Sequence, residues 1–185
     1  SGDGDSGDRD YNPDSDRALD DALAERDLDP DAKTRALLAG HEYDVEFVRG
    51  CRRLDVDPVA FYGLRERHGA RLAIDRLAVG SRTLYDVSSL GELAERYPLG
   101  VVSNNYQDVV RFVIDHHRLD AFDHVRGRAT GVDGFYNRKP NPHYLLEAMS
   151  ELDAADGLYV GDRATDVLAA TRAGLESVFV ERPYN

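Results

Sequence analysis

Leu158-Tyr159-Val160-Gly161-Asp162-Arg163-Ala164-Thr165-Asp166 decides the fold of this 185-residue chain. A short apolar run ending in Gly-Asp predicts a buried strand whose carboxyl end delivers Asp162 to a crevice. Asp166 follows on the first turn of the next helix. Two carboxylates so spaced suit a hard cation with oxygen ligands, Mg²⁺ above all, whose shell is completed by waters and phosphate oxygens. Asp162 also reads as an ordinary cap of the helix starting near Thr165.

Upstream, Leu99-Gly100-Val101-Val102-Ser103-Asn104-Asn105 is another apolar strand breaking into small polar residues, ahead of the amphipathic stretch Val109 to His116. The Ser103 hydroxyl and the N–H groups after it stand where a helix N-terminus would meet an anion, so Ser103 and Asn104 are candidate phosphate binders. Ser and Asn are equally common as plain N-caps. Between the two strands lies Arg138-Lys139-Pro140-Asn141-Pro142-His143. The chain has only two lysines, Lys33 and Lys139, so arginine serves wherever charge alone suffices and Lys139 stands out. Its compact ammonium acts as a point charge on phosphate or carboxylate, a task the guanidinium fork does differently. Pro140 and Pro142 narrow the conformations from which it reaches.

A strand ending in Ser-Asn, a Lys-Pro-x-Pro segment and a strand ending in Gly-Asp-x-x-x-Asp, in that order, resemble the second, third and fourth motifs of the haloacid dehalogenase superfamily of phosphohydrolases. The likeness covers about residues 83 to 182. It implies that Ser103 binds the transferring phosphoryl group, that Lys139 neutralises its charge and the nucleophile's, and that Asp162 and Asp166 serve a Mg²⁺ site. Gly127-Arg128 is similar to the family's segment before the lysine motif, with no chemistry evident from sequence. The family's first motif, an apolar strand ending in Asp-x-Asp that carries the nucleophile, has no match here. Asp3-Gly4-Asp5 follows only Ser1-Gly2, which cannot form a buried strand. The expectation is a fold whose first core strand is missing and whose attacking Asp lies outside this chain.

The resemblance further implies a Mg²⁺-dependent phosphatase of a small phosphorylated metabolite, working through an aspartyl-phosphate. Two alternatives stay open: a non-catalytic relative binding phosphate or a partner in the same crevice, and a metal-independent 2-haloacid dehalogenase. Receiver domains also combine acids, a hydroxyl residue and lysine, but in the opposite order along the chain.

Hydrophobic periodicity divides the chain in two. From Asp16 to about Leu77 it is helical, with Asp29-Pro30 and Asp57-Pro58 as start signals. Past Thr83, strands near 99–102, 124–126, 158–161 and 177–180 alternate with helices near 87–96, 106–117, 141–151 and 165–173. That alternation predicts an α/β, Rossmann-like parallel sheet with helices on both faces. The expected domains are an acidic disordered segment 1–15, a helical cap 16–82 and an α/β core 83–185, with Gly80 to Asp86 as the return hinge. By the resemblance the cap covers the active site. Tyr43, Tyr62, Arg65, Arg67 and His68 could face substrate there or be ordinary surface; His116 and His117 sit at a helix end, favouring its dipole.

The net charge is −12, with Asp far outnumbering Glu. Such a surface repels polyanions, which argues against nucleic-acid partners. It resembles proteins of salt-loving organisms, in which ions screen self-repulsion. Stability is expected to fall in low-salt buffer; a melting temperature indifferent to molar KCl would contradict this. The lone Cys51 excludes a disulfide framework and suggests a reducing cytoplasm. No apolar run is long enough to span a membrane. Oligomeric state is not readable.

Overall fold

Four helices form the first half: α1 (Pro13–Glu25), α2 (Ala32–Leu38), α3 (Val45–Arg53) and α4 (Pro58–Val79). The computed structural model describes residues 13–80 and 87–181. Aspartates start three of these helices in one way. Asp31 accepts from the Thr34 N–H at 2.7 Å, Asp44 from Phe47 at 2.8 Å and Asp57 from Ala60 at 2.7 Å. Each carboxylate satisfies a donor that the first turn leaves without a partner. Asp57-Pro58 caps α4 as expected, whereas α2 takes Asp31 in place of Asp29, because Pro30 stays in the preceding loop.

Leu19, Leu38, Phe47, Cys51, Phe61 and Tyr62 are the largest fully buried side chains among the described residues of this half. Phe47 meets the Tyr62 ring edge-on at 5.3 Å and Tyr43 packs on both. Arg65 is buried among them. Its guanidinium donates to the carbonyls of Leu38 at 2.8 Å and Gly40 at 2.6 Å, and lies 4.9 Å over the Phe47 ring. It thereby caps the C-terminus of α2 from inside the core. His68 is buried too, 2.8 Å from Glu25. Tyr62, Arg65 and His68 are therefore core residues, not surface. Burial pushes the Cys51 thiol up to about 12, so it is a small packed hydrophobe without nucleophilic character.

After a 3₁₀ turn (Val87–Ser89) and α5 (Leu90–Ala94), the second half runs β1 (Gly100–Tyr106), α6 (Gln107–His116), β2 (His124–Arg128), α7 (Val132–Asn137), α8 (His143–Glu151), β3 (Leu158–Gly161), α9 (Ala164–Ala173) and β4 (Glu176–Phe179). Alternation of strand and helix is as the sequence predicts. The strands are parallel, but they pair as β1 with β2 and β3 with β4, giving two small sheets instead of one continuous ladder. Leu145 of α8 and Ala169 and Ala170 of α9 form a buried cluster, against which Val102 and Tyr159 pack. One face of β3 is thus covered. The other is open, with Leu158 60% and Val160 58% exposed, so β3 is half-buried where the apolar run predicts full burial.

The chain divides into compact units at Ser1–Leu72 and Ala73–Asn185, a division that falls inside α4. Of the acidic segment expected disordered, Pro13 to Ser15 belong to α1; Asp3-Gly4-Asp5 and the rest lie outside the described residues, as does the expected hinge beyond Gly80.

Candidate active site

Three stretches distant in sequence meet at Lys139. Its ammonium is 2.7 Å from Asp166 Oδ1, and both side chains are 8% exposed. It also donates to the Val102 carbonyl of β1 at 3.0 Å and to the Tyr159 hydroxyl of β3 at 2.6 Å. That hydroxyl is itself 3.1 Å from the Val102 carbonyl. Three donors meet three acceptors, which makes desolvation of the cation tolerable.

Asp166 has a second partner. Its Oδ2 accepts the Arg163 N–H at 3.1 Å, while its own N–H donates to the Arg163 carbonyl at 2.9 Å, so it closes the first turn of α9. It is Arg163's backbone, then, that the carboxylate engages. Gly161 is required beside it: a Cβ there would stand 2.5 Å from Asp166 Cβ and 2.7 Å from Oδ2. Asp162 is half-buried at the end of β3. Burial raises the Tyr159 pKa most; Lys139 opposes the shift, and the negative charges of Asp166 and Asp162 add to it.

Ser103 and Asn104 lie within β1, ahead of the helix, because the strand runs on to Tyr106 and α6 begins only at Gln107. Ser103 Oγ accepts the Asn105 N–H at 3.1 Å. Asn104 turns its amide onto the Lys139 main chain, accepting the Lys139 N–H at 2.8 Å and donating to the Lys139 carbonyl at 3.0 Å. Tyr159 was not singled out by the sequence. Only its place on the buried side of an alternating strand, opposite Leu158 and Val160, hints at a role.

No group of three or more His, Cys, Asp or Glu side chains arranged for a metal ion occurs among the described residues. Mg²⁺ needs no such cluster, since one or two carboxylates suffice when waters and phosphate oxygens complete its shell. No helix among the described residues is long and apolar enough to cross a membrane.

The sequence profile of the haloacid dehalogenase-like hydrolases matches residues 86–180. A phosphoglycolate phosphatase of Vibrio cholerae is 36% identical over 90 residues, 47% of this chain and 38% of that protein. Another, of Pectobacterium atrosepticum, is 31% identical over 176 residues, covering 91% of this chain and 73% of the relative. The chain thus spans only part of the length of these relatives. A crystal structure from Lactobacillus delbrueckii subsp. bulgaricus, described as a candidate phosphoglycolate phosphatase, aligns over 89% of this chain and 77% of that one, with a TM-score of 0.52 at 16% identity, a likeness of fold. On the profile match and the extended similarity to the Pectobacterium protein, this chain belongs to the family of haloacid dehalogenase-like hydrolases.

Proposed function

We propose that this chain carries the charge-neutralising part of a Mg²⁺-dependent phosphomonoesterase for small phosphorylated metabolites, acting through an aspartyl-phosphate whose attacking Asp lies outside residues 1–185. The observation that carries this reading is the buried Lys139–Asp166 pair, held beside Val102 of β1 and Tyr159 of β3. Electrostatic stabilisation by such fixed charges is the main service a protein renders to phosphoryl transfer. Lys139 would offset the phosphoryl charge, and the Ser103 hydroxyl would meet a phosphoryl oxygen. Asp162 and Asp166 would hold Mg²⁺, with Asp166 using lone pairs not engaged by Lys139 and Arg163. The ion would supply Lewis-acid stabilisation of the phosphoryl oxygens. Cytoplasmic, salt-adapted operation accords with the single buried cysteine and the net charge of −12.

Phosphoglycolate, named in both curated relatives, is the first substrate to test. The protein in its natural full-length form should hydrolyse it, or p-nitrophenyl phosphate, in the presence of Mg²⁺. Lys139→Ala and Asp162→Ala should each lower kcat by at least about 100-fold, the scale of losing one electrostatic element. Full activity in EDTA, or in either variant, would reject the reading. Release of halide from a 2-haloacid without metal would favour the dehalogenase instead.

A further inference from the structure

We propose that Asn104 and Arg128 are positioning residues that fix the Lys139 backbone, and that Asn104 does not bind substrate; the kinetic consequence rests on the hydrolase reading above. The Asn104 side-chain amide pairs with the Lys139 main chain in both directions, at 2.8 and 3.0 Å. An amide donating and accepting at once imitates a rung of a β-ladder, so a side chain of β1 splices the lysine loop, 35 residues away, onto the strand. That engages both its Oδ1 and its Nδ2. The lysine side chain then leaves a fixed backbone and reaches the Val102 carbonyl two residues before Asn104.

Arg128 holds the same point from the other side. Its Nε donates to the Asn104 carbonyl at 3.0 Å, and its guanidinium lies 4.2 Å over the Tyr106 ring. The glycine before it explains how β2 comes so close. A Cβ on Gly127 would stand 2.7 Å from the Asn105 carbonyl and from Gln107 Cα, while the Gly127 N–H donates to Gln107 Oε1 at 2.6 Å. Gly127-Arg128 therefore has a chemistry after all: a close approach followed by a clamp. The line of action runs Arg128, Asn104, Lys139.

The two lysines of the 185-residue chain make this testable by NMR of that chain labelled with ¹³C at the lysine ε carbon, where one signal belongs to Lys139 and one to exposed Lys33 as internal control. Asn104→Ala and Arg128→Ala should move or broaden the Lys139 signal and leave Lys33 in place. Asn104→Asp, close in size but without the donor, and Arg128→Lys should do so less, and they serve where the alanine variants fold poorly. In Mg²⁺-dependent hydrolysis, Asn104→Ala should lower kcat about tenfold with KM within twofold, a loss of orientation rather than of binding. The combined Asn104→Ala, Arg128→Ala variant should be no worse than Asn104→Ala, since Arg128 acts through Asn104. An unmoved Lys139 signal in folded variants, or a raised KM at unchanged kcat, would overturn the assignment. Where the natural protein hydrolyses no phosphate ester, the function proposed above fails and the lysine spectrum alone decides this one.

Discussion

Buried charge occurs in both halves of the molecule, and it works differently in each. In the helical half, Arg65 spends its guanidinium on the free carbonyls at the end of α2, within one core of packed aromatics. In the α/β half, Lys139 and Asp166 are buried against each other, joining a loop to the helix that follows β3. A buried cation that satisfies a helix end is a structural cap. One that faces a buried carboxylate beside Val102 of β1 and Tyr159 of β3 is, on the function proposed above, held in place for its charge. Burying an ion pair is weak evidence of stabilisation in itself, which accords with the role proposed for it above.

The sharpest way to break this comparison is to remove each cation. Lys139→Met leaves Asp166 buried and unpaired, and should cost about 3 to 5 kcal/mol in urea unfolding. Adding Asp166→Asn, which keeps an acceptor for the Arg163 N–H, should restore most of that stability while hydrolysis stays absent. Recovery of activity in the double variant would make the pair structural, like Arg65. Arg65→Met should cost about 1 to 3 kcal/mol for the carbonyls left without donors. It should not disturb the Lys139 ε signal; a shift there would erase the distinction between the two sites.

What was legible in the sequence follows the same division. Lys139 announced itself because lysine is otherwise nearly absent, and Asp162 and Asp166 because a Gly-Asp ends an apolar run. The strands were readable to within a few residues. β1 runs longer than its apolar part because Arg128 of β2 pairs with Tyr106 past a bulge. α7 went unread: Gly131-Val132-Asp133-Gly134-Phe135-Tyr136-Asn137 is short, glycine-rich and without helical period. The partners of the site residues were invisible for a different reason. Asn104 to Lys139 spans 35 residues and Lys139 to Tyr159 spans 20, and no local pattern encodes contacts across such loops. Arg65 and His68 could be read as surface or as site because a charged residue on a helix gives no sign that a neighbouring helix end will claim it.

A smaller effect separates the charge of the site from its scaffold. Tyr159→Phe removes one acceptor from Lys139 and one donor from the Val102 carbonyl, and should cost about 1 kcal/mol at neutral pH. Burial holds the Tyr159 pKa above that of a tyrosine in the unfolded chain. Its contribution is therefore fully present below about pH 10, the unfolded value, and is lost as pH rises through the higher folded one. The stability difference between the natural protein and Tyr159→Phe should shrink above that pH. A constant difference into the alkaline range would mean that the hydroxyl is not shielded between Lys139 and Val102.

The smallest expected effect belongs to the helical half, where charge only caps. Hydrogen bonding to Thr34 holds the Asp31 carboxyl below the usual carboxylate range. A lowered acid stabilises above its unfolded pKa, near 3.9, and that help is lost as pH falls through the folded value. Asp31→Ser keeps an oxygen acceptor for the first turn of α2 but has no proton to gain. The variant should match the natural protein at neutral pH and unfold at slightly lower pH on acid titration, because one of the carboxylates that must be protonated is gone. Equal acid midpoints would assign the cap of α2 to its hydrogen bond alone, which would make the contrast with the charge-dependent pair at Lys139 complete.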